Sequence, residues 1–370
     1  MATASSSSPF PWTSLPVETI VDIVTKTPFV PETFLNLRLV DRNLNAVLKN
    51  YERAICKAIA AEQFPHVASD FPGIAPLCHR QLHSAVSRGG PEDLSGWPEY
   101  SAADHVEYAS AYYSGVGGET TRPSFAWLAE VYQRYDTLEQ LERLAARCGI
   151  QRLPLLTVAF KLLYRLTDDG NGMPPMTPQK LTHGLTRKNV AGNHDAKVDF
   201  LYRLPVSGLV TLCWCLYESI NLARERGHGV INARSNAYAH HTSEAHSDLL
   251  LVFEEMLLNQ GPDFLLDLLG RDAQPAAAAL HHAWSSTTTA HLPSPTTGQP
   301  PQQRLGSQLR RALAHKLGIE RSFVFLNVCS ALTHPKLTEL AAADAVKLVA
   351  GQEIEEDETE RFVRGYRLQD

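Results

Sequence analysis

The sequence predicts an all-α protein in two unequal parts: three short helices over residues 13–65, then a larger, irregular helical domain over residues 101–350. Three observations carry that reading. Apolar residues recur at offsets of three, four and seven through most of the chain, the spacing that lines one face of a helix. Runs with clear strand-like alternation are absent. Proline, glycine and serine gather between the periodic segments, where they break helices.

The first helix is predicted to begin at Pro16, because a proline at the first helical position gives up an amide that has no partner there. Ser14 or Leu15 flanks that start. Glu18 in the first turn suits the positive end of the helix dipole, and Ile20, Ile23 and Val24 form an apolar stripe. Pro28 and Pro31 stop this helix, and Pro31 can open the next, in which Phe34, Leu35, Leu37 and Leu39 make a short apolar segment ending at Val40. Asp41 is the predicted N-cap of a third helix, since its carboxylate can accept from the free amides that follow. Leu44, Val47, Leu48, Tyr51, Ile55, Ile59 and Phe64 sustain the helical period up to Pro65. So small a unit has little interior, and an apolar partner is expected.

From His66 to Tyr100 the chain is rich in proline, glycine, serine and histidine and reads as a connector. Helical periods then dominate, over residues 103–114, 124–148, 155–166, 205–226, 242–258, 262–269, 276–285, 305–317, 322–332 and 336–350. The short apolar run Phe323 to Val328 also suits a strand. No repeat of fixed period occurs. Three stretches lack the spaced apolar residues that offset the entropy of fixing a backbone: residues 1–12, the Ser/Thr/Pro/Gln-rich loop 285–303, and an acidic tail over 351–370.

The segment Leu15-Pro16-Val17-Glu18-Thr19-Ile20-Val21-Asp22-Ile23, followed by Leu35-Asn36-Leu37-Arg38-Leu39-Val40-Asp41-Arg42, resembles an F-box. The resemblance covers roughly residues 13–60, and its Leu-Pro-x-Glu-x-Ile core is moderately specific. It departs from the common pattern at Thr27, where a leucine often closes the first helix, and at Leu44, where an aromatic residue often follows the arginine. The resemblance implies that the N-terminal helices bind the Skp adaptor, and through it a cullin, with Leu15, Pro16, Ile20, Ile23, Leu35, Leu37, Arg38 and Val40 at the contact. It also implies a ubiquitin-ligase adaptor whose helical domain holds a client protein, with no catalytic residue of its own. Two alternatives stay open: a scaffold or regulator acting outside a ligase, and a helical enzyme whose N-terminus only mimics the motif.

Composition narrows the remaining classes. With 370 residues and 44% hydrophobic content, the chain has ample material for two or three packed cores. The formal charge is -6, and the last twenty residues hold seven acidic against three basic residues, so the body is nearly neutral. No basic block marks a nucleic-acid footprint, and no nucleic-acid partner is expected. The N-terminus has neither the charged start nor the apolar run of a secretory signal. The most apolar span, Pro205 to Ile220, is shorter than a bilayer crossing needs, so no membrane partner is expected. Six cysteines without framework spacing, and no Asn-x-Ser/Thr acceptor, point to reduced thiols in cytoplasm or nucleus.

No cofactor or metal is expected. Cys213 and Cys215 lie two apart on a helix and point in different directions. The histidines at 240, 241, 246, 281, 282 and 291 lack the His-Glu-x-x-His spacing that places two ligands on one helical face. In Asp168-Asp169-Gly170-Asn171-Gly172, Met173 and Pro174 follow where a calcium loop needs a ligand and a sharp-turn glycine, so a turn between helices is predicted. Gly115-Val116-Gly117-Gly118 leads to Glu119 and Thr120 instead of Lys-Ser/Thr, which makes it a helix exit and not a phosphate cradle.

Overall fold

The computed structural model describes residues 15–71, 123–150, 152–169, 188–227, 244–270, 274–278, 280, 304–320, 324, 334–350, 352–354 and 357–366. Every regular element of more than one turn among them is an α-helix, so the protein is all-α. The predicted helix at 103–114, the glycine run 115–118, the loop 285–303 and most of the connector and of segment 322–332 lie outside the described residues. The chain divides into two compact units. One takes in described residues 15–68 and 123–135, the other 69–71 and 136–366.

In the first unit, α1 spans Val17–Lys26, α2 Pro31–Val40, α3 Arg42–Asn50 and α4 Glu52–Gln63, followed by the single turn α5, Val67–Asp70. Pro16 stands at the N-cap with φ -55°, and its carbonyl accepts from the amides of Thr19 and Ile20 at 3.0 and 3.1 Å. Pro31 occupies the first turn of α2. The Asp41 carboxylate caps α3, accepting from Asn43 N at 2.7 Å and Leu44 N at 3.1 Å. The single third helix predicted to run to Phe64 is instead two, parted at Tyr51 (φ -109°, ψ 11°). Asn50 and Tyr51 are both weak helix formers, and the period survives because the break is one residue wide: Leu44, Leu48, Ile55 and Ile59 are all fully buried.

Gln63 ties the end of α4 to the proline-rich loop between α1 and α2. Its Oε1 accepts from Phe29 N at 2.8 Å, while Nε2 donates to the carbonyls of Thr27 at 3.0 Å and Thr25 at 3.4 Å. Phe29 then packs on Phe34, with ring centroids 4.7 Å apart.

The remaining wall of this unit comes from a distant segment. Helix α6, Phe125–Arg147, starts at Ser124, whose hydroxyl accepts from Trp127 N at 3.1 Å, and the Glu52 carboxylate of α4 accepts from Phe125 N at 2.7 Å. Leu128 is fully buried, and Phe125, Trp127, Ala129 and Tyr132 pack around it on the core of α1–α4. Residues 125–135, expected within a domain spanning 101–350, belong instead with the N-terminal helices. Their apolar face supplies part of the cover that those helices lack.

In the second unit, α7 spans Leu153–Asp169, α8 Lys188–Arg203, α9 Val206–Arg226, α10 Glu244–Gln260, α11 Pro262–Leu269, α12 Leu305–Leu317, α13 Pro335–Val349 and α14 Glu358–Tyr366. Phe71 joins it, with its ring edge-on to Tyr164 at 5.6 Å, and Asp70 pairs with Lys161 at 2.7 Å. Helices α7, α9 and α13 form the centre. Helix α9 is long and apolar enough to cross a bilayer by length and composition, but 78% of its most apolar window is buried in the core. Gly208 allows the approach of α13, since a Cβ there would lie 2.9 Å from Leu348 Cδ1. Gly261 turns the chain from α10 into α11 at φ +81°, a conformation that disfavours any other residue.

Two elements depart from the sequence reading. Helix α8 was not predicted, because its register is not apolar throughout: Lys197 is only 1% exposed and donates to Asn259 O at 2.9 Å and Oδ1 at 3.2 Å. The tail read as unstructured contains α14. Its composition is acidic, but Thr359 and Val363 share one face and are buried, at offsets that local composition obscures. Of the turn predicted over 168–172, Asp168 and Asp169 are instead the last residues of α7, with Asp168 buried, and residues 170–172 lie outside the described residues.

Candidate protein-binding surface on the N-terminal helices

On α1, Ile20 and Val24 lie four residues apart and point into the core, at 3% and 1% exposure. Ile23, one position before Val24, comes out on the other side and is 40% exposed. Pro16 is exposed, while Leu15 is half-buried and packed on the core. The Asp22–Lys26 pair at 2.9 Å lies fully in solvent, where such pairs add little stability.

Helix α2 spreads its apolar residues around much of its circumference. Phe34 takes the core position, with its ring 5.7 Å from Phe125. Leu35 and Leu37 are half-buried, and Leu37 packs on the core. Leu39 and Val40 are left in solvent at 71% and 61%. Ten residues carrying Phe34, Leu35, Leu37, Leu39 and Val40 cannot turn all five inward, because neighbouring helices cover only part of a helix's circumference.

The eight residues implied by the resemblance therefore separate into three groups. Pro16, Ile23 and Val40 are exposed. Leu15, Leu35, Leu37 and Arg38 are half-buried, and Arg38 Nε donates to Asn45 Oδ1 of α3 at 3.2 Å. Ile20 departs from the expectation of a partner-facing residue: it belongs to the core, because the i, i+4 pairing with Val24 fixes which side of α1 faces inward. Both positions that depart from the F-box pattern have local roles. Leu44 is fully buried, and the Thr27 hydroxyl donates to Ile23 O at 2.8 Å at the end of α1.

Leu39 was not among the implied contacts, nor was Tyr51, which is 45% exposed. Leu39 was detectable, since it lies one turn beyond Leu35 on a helix already crowded with apolar residues. Among the described residues, the large apolar side chains left exposed are Ile23, Leu39, Val40, Tyr51 and Val346. Four of these five lie between residues 23 and 51, so the apolar surplus is concentrated on the N-terminal helices.

Burial pushes the Glu52 carboxyl up, opposed by its bond to the Phe125 amide and by Arg38. Burial likewise pushes the Cys215 thiol up to about 12, so it stays protonated at neutral pH. Among the described residues, no three His, Cys, Asp or Glu side chains come together as metal ligands. His240, His241, His281, His282 and His291 lie outside the described residues. No protein-family model matches the chain, and neither a curated protein nor a solved structure matches it.

Proposed function

We propose that this chain is an F-box-type adaptor, in which α1–α4 hold a Skp adaptor and, through it, a cullin, while the helical remainder holds a client protein. The observation that carries the reading is the exposed pair Leu39 and Val40 at the end of α2, on the segment that follows the Leu-Pro-x-Glu-x-Ile sequence. Exposed apolar side chains gathered on one small unit mark an interaction surface, because leaving them in water forgoes about 25 cal/mol for each Å² that a partner could cover. On this reading the mechanism is positional: holding a client beside the ubiquitin-charged enzyme raises the local concentration of its lysines.

The test uses the exposed pair, since the half-buried Leu15 and Leu37 also support the fold. Full-length protein and its Leu39→Glu/Val40→Glu variant are expressed with affinity tags, and co-purifying Skp adaptor and cullin are quantified. The wild-type chain is expected to retain both proteins and the variant neither, with the two chains showing the same thermal unfolding. Absence of Skp adaptor from the wild-type sample would refute the reading. Skp adaptor without cullin would replace the ligase role by that of a scaffold.

A further inference from the structure

The C-terminal helix α14 is seated on the second unit by side chains that read as a short recognition sequence. Asp357 caps two helices at once: Oδ1 accepts from Glu360 N at 2.8 Å at the head of α14, and Oδ2 accepts from Ser207 N at 2.9 Å in the first turn of α9. Thr359 donates from its hydroxyl to Asp344 Oδ2 of α13 at 3.1 Å. The Phe362 ring lies 5.1 Å from the His334 ring, with Lys336 Nζ 6.0 Å from its centroid. Val363 is 5% exposed, and Arg364 donates to Lys316 O at the end of α12 at 2.8 Å.

This seat holds a short helix. A helix of nine residues is marginal in water alone, so α14 depends on its docking to be helical. Among its described side chains Thr359 and Val363 are the buried ones, and Gln352 and Glu353 just before it are exposed. Segments with so little buried apolar area open at a lower free energy than the core. Six of the eight residues from Glu353 to Glu360 are acidic, and the seat presents Lys336 beside Phe362 and Lys347 beside Asp344. Ser207, whose amide is taken by Asp357, keeps a fully buried hydroxyl with no partner among the described residues.

We propose that α14 is a displaceable latch, and that the seat it occupies on α9, α12 and α13 binds in trans an acidic amphipathic helix of a partner protein with the pattern Asp-x-Thr/Ser-x-x-Phe-Val-Arg. This goes beyond the adaptor reading and does not depend on it. The partner helix competes with a tethered copy of its own pattern, so the chain stays closed until a better match arrives.

The experiment uses two full-length chains, wild type and Phe362→Ala/Val363→Asp, whose changes lie on the latch and leave the seat intact. A fluorescent peptide with the sequence of residues 352–370 is titrated into each, and anisotropy is read. Saturable binding to the variant at least about tenfold tighter than to wild type, reduced when the peptide carries Asp357→Ala, is the expected result. No saturable binding to the variant, or equal binding to both chains, overturns the proposal. Hydrogen exchange of the wild-type chain gives an independent check. Amides of 358–366 are expected to exchange well before those of α9, and exchange of both in a single global opening overturns the latch. Concentration-dependent dimers of the variant would give the seat to a second copy, which also overturns it.

Discussion

The two units of this protein err in opposite directions. Among the described residues the N-terminal unit leaves more large apolar side chains outside, with Ile23, Leu39, Val40 and Tyr51 in solvent against Val346 in the second. The second brings more charged and polar groups inside, with Lys197, Glu254, Asp344 and Thr359 at 5% exposure or less against Arg134 in the first. The helices account for the difference. Helices α1–α4 of the first unit are 9 to 12 residues long, too short to share a large interior, and part of their cover comes from the start of α6. The second unit packs helices of up to 17 residues around the 21-residue α9, and an interior of that size encloses polar atoms, most of which are satisfied in place. Glu254 meets Arg310 with both carboxylate oxygens at 2.6 Å, and Asp263 Oδ1 accepts from Thr137 at 2.8 Å and Tyr164 at 2.9 Å. Lys197, Glu254, Asp344 and Thr359 are held inside by their own bonds; the apolar surplus outside is what the proposed partner would cover.

The largest effect that tests this contrast is expected at Lys197. Lys197→Ala removes the donor to Asn259 and leaves a cavity, and should cost about 3 kcal/mol or more by chemical denaturation. The surface change Leu39→Ala should stay within about 0.5 kcal/mol. Comparable costs would erase the distinction between the units. Next comes α1, where Ile20→Ala should cost about 2–4 kcal/mol and Ile23→Ala under about 1 kcal/mol. Equal values would mean that α1 is turned otherwise. Gln63→Ala, which removes three hydrogen bonds to the α1–α2 loop, should cost about 1–2 kcal/mol and speed hydrogen exchange at Phe29.

The smallest effect concerns pH. Burial raises the carboxyl of Asp344, with Asp357 and Glu358 adding to the rise and Thr359 and Lys347 opposing it. A carboxyl raised on folding contributes stability that is complete below its ordinary value and is lost as pH rises through its folded value. Docking of α14 should therefore weaken as pH climbs from the ordinary carboxylate range, and Asp344→Asn should flatten that slope. Hydrogen exchange of residues 358–366 across that range, in both chains, is the measurement.

Most helices were legible because packing follows the period of the apolar residues. Predicted segments 205–226, 262–269 and 305–317 agree with α9, α11 and α12 to within one residue. Capping was legible as well at Asp41 and Pro31, where local chemistry decides the outcome. Helix α8 escaped because one of its core positions is a lysine, and α14 because just two of its described side chains are buried, against a surface distant in sequence. The division within α6 had no local signal at all: one amphipathic helix serves two units, and periodicity cannot say which part faces which core. At the candidate surface, the motif indicated which helices to consider. Burial separated Ile20 from Ile23 and added Leu39, since three-dimensional cover decides which apolar side is left over.

The central claim is that the apolar residues left outside on α1 and α2 are there for a Skp adaptor. Calorimetric titration of purified Skp adaptor into the full-length chain tests it most directly, run at several temperatures beside Leu39→Ala/Val40→Ala. Saturable binding with a negative heat-capacity change, weakened by about a hundredfold or more in the variant at unchanged stability, is the predicted result. Binding of equal strength in both chains, or no heat of binding to the wild type, would contradict it.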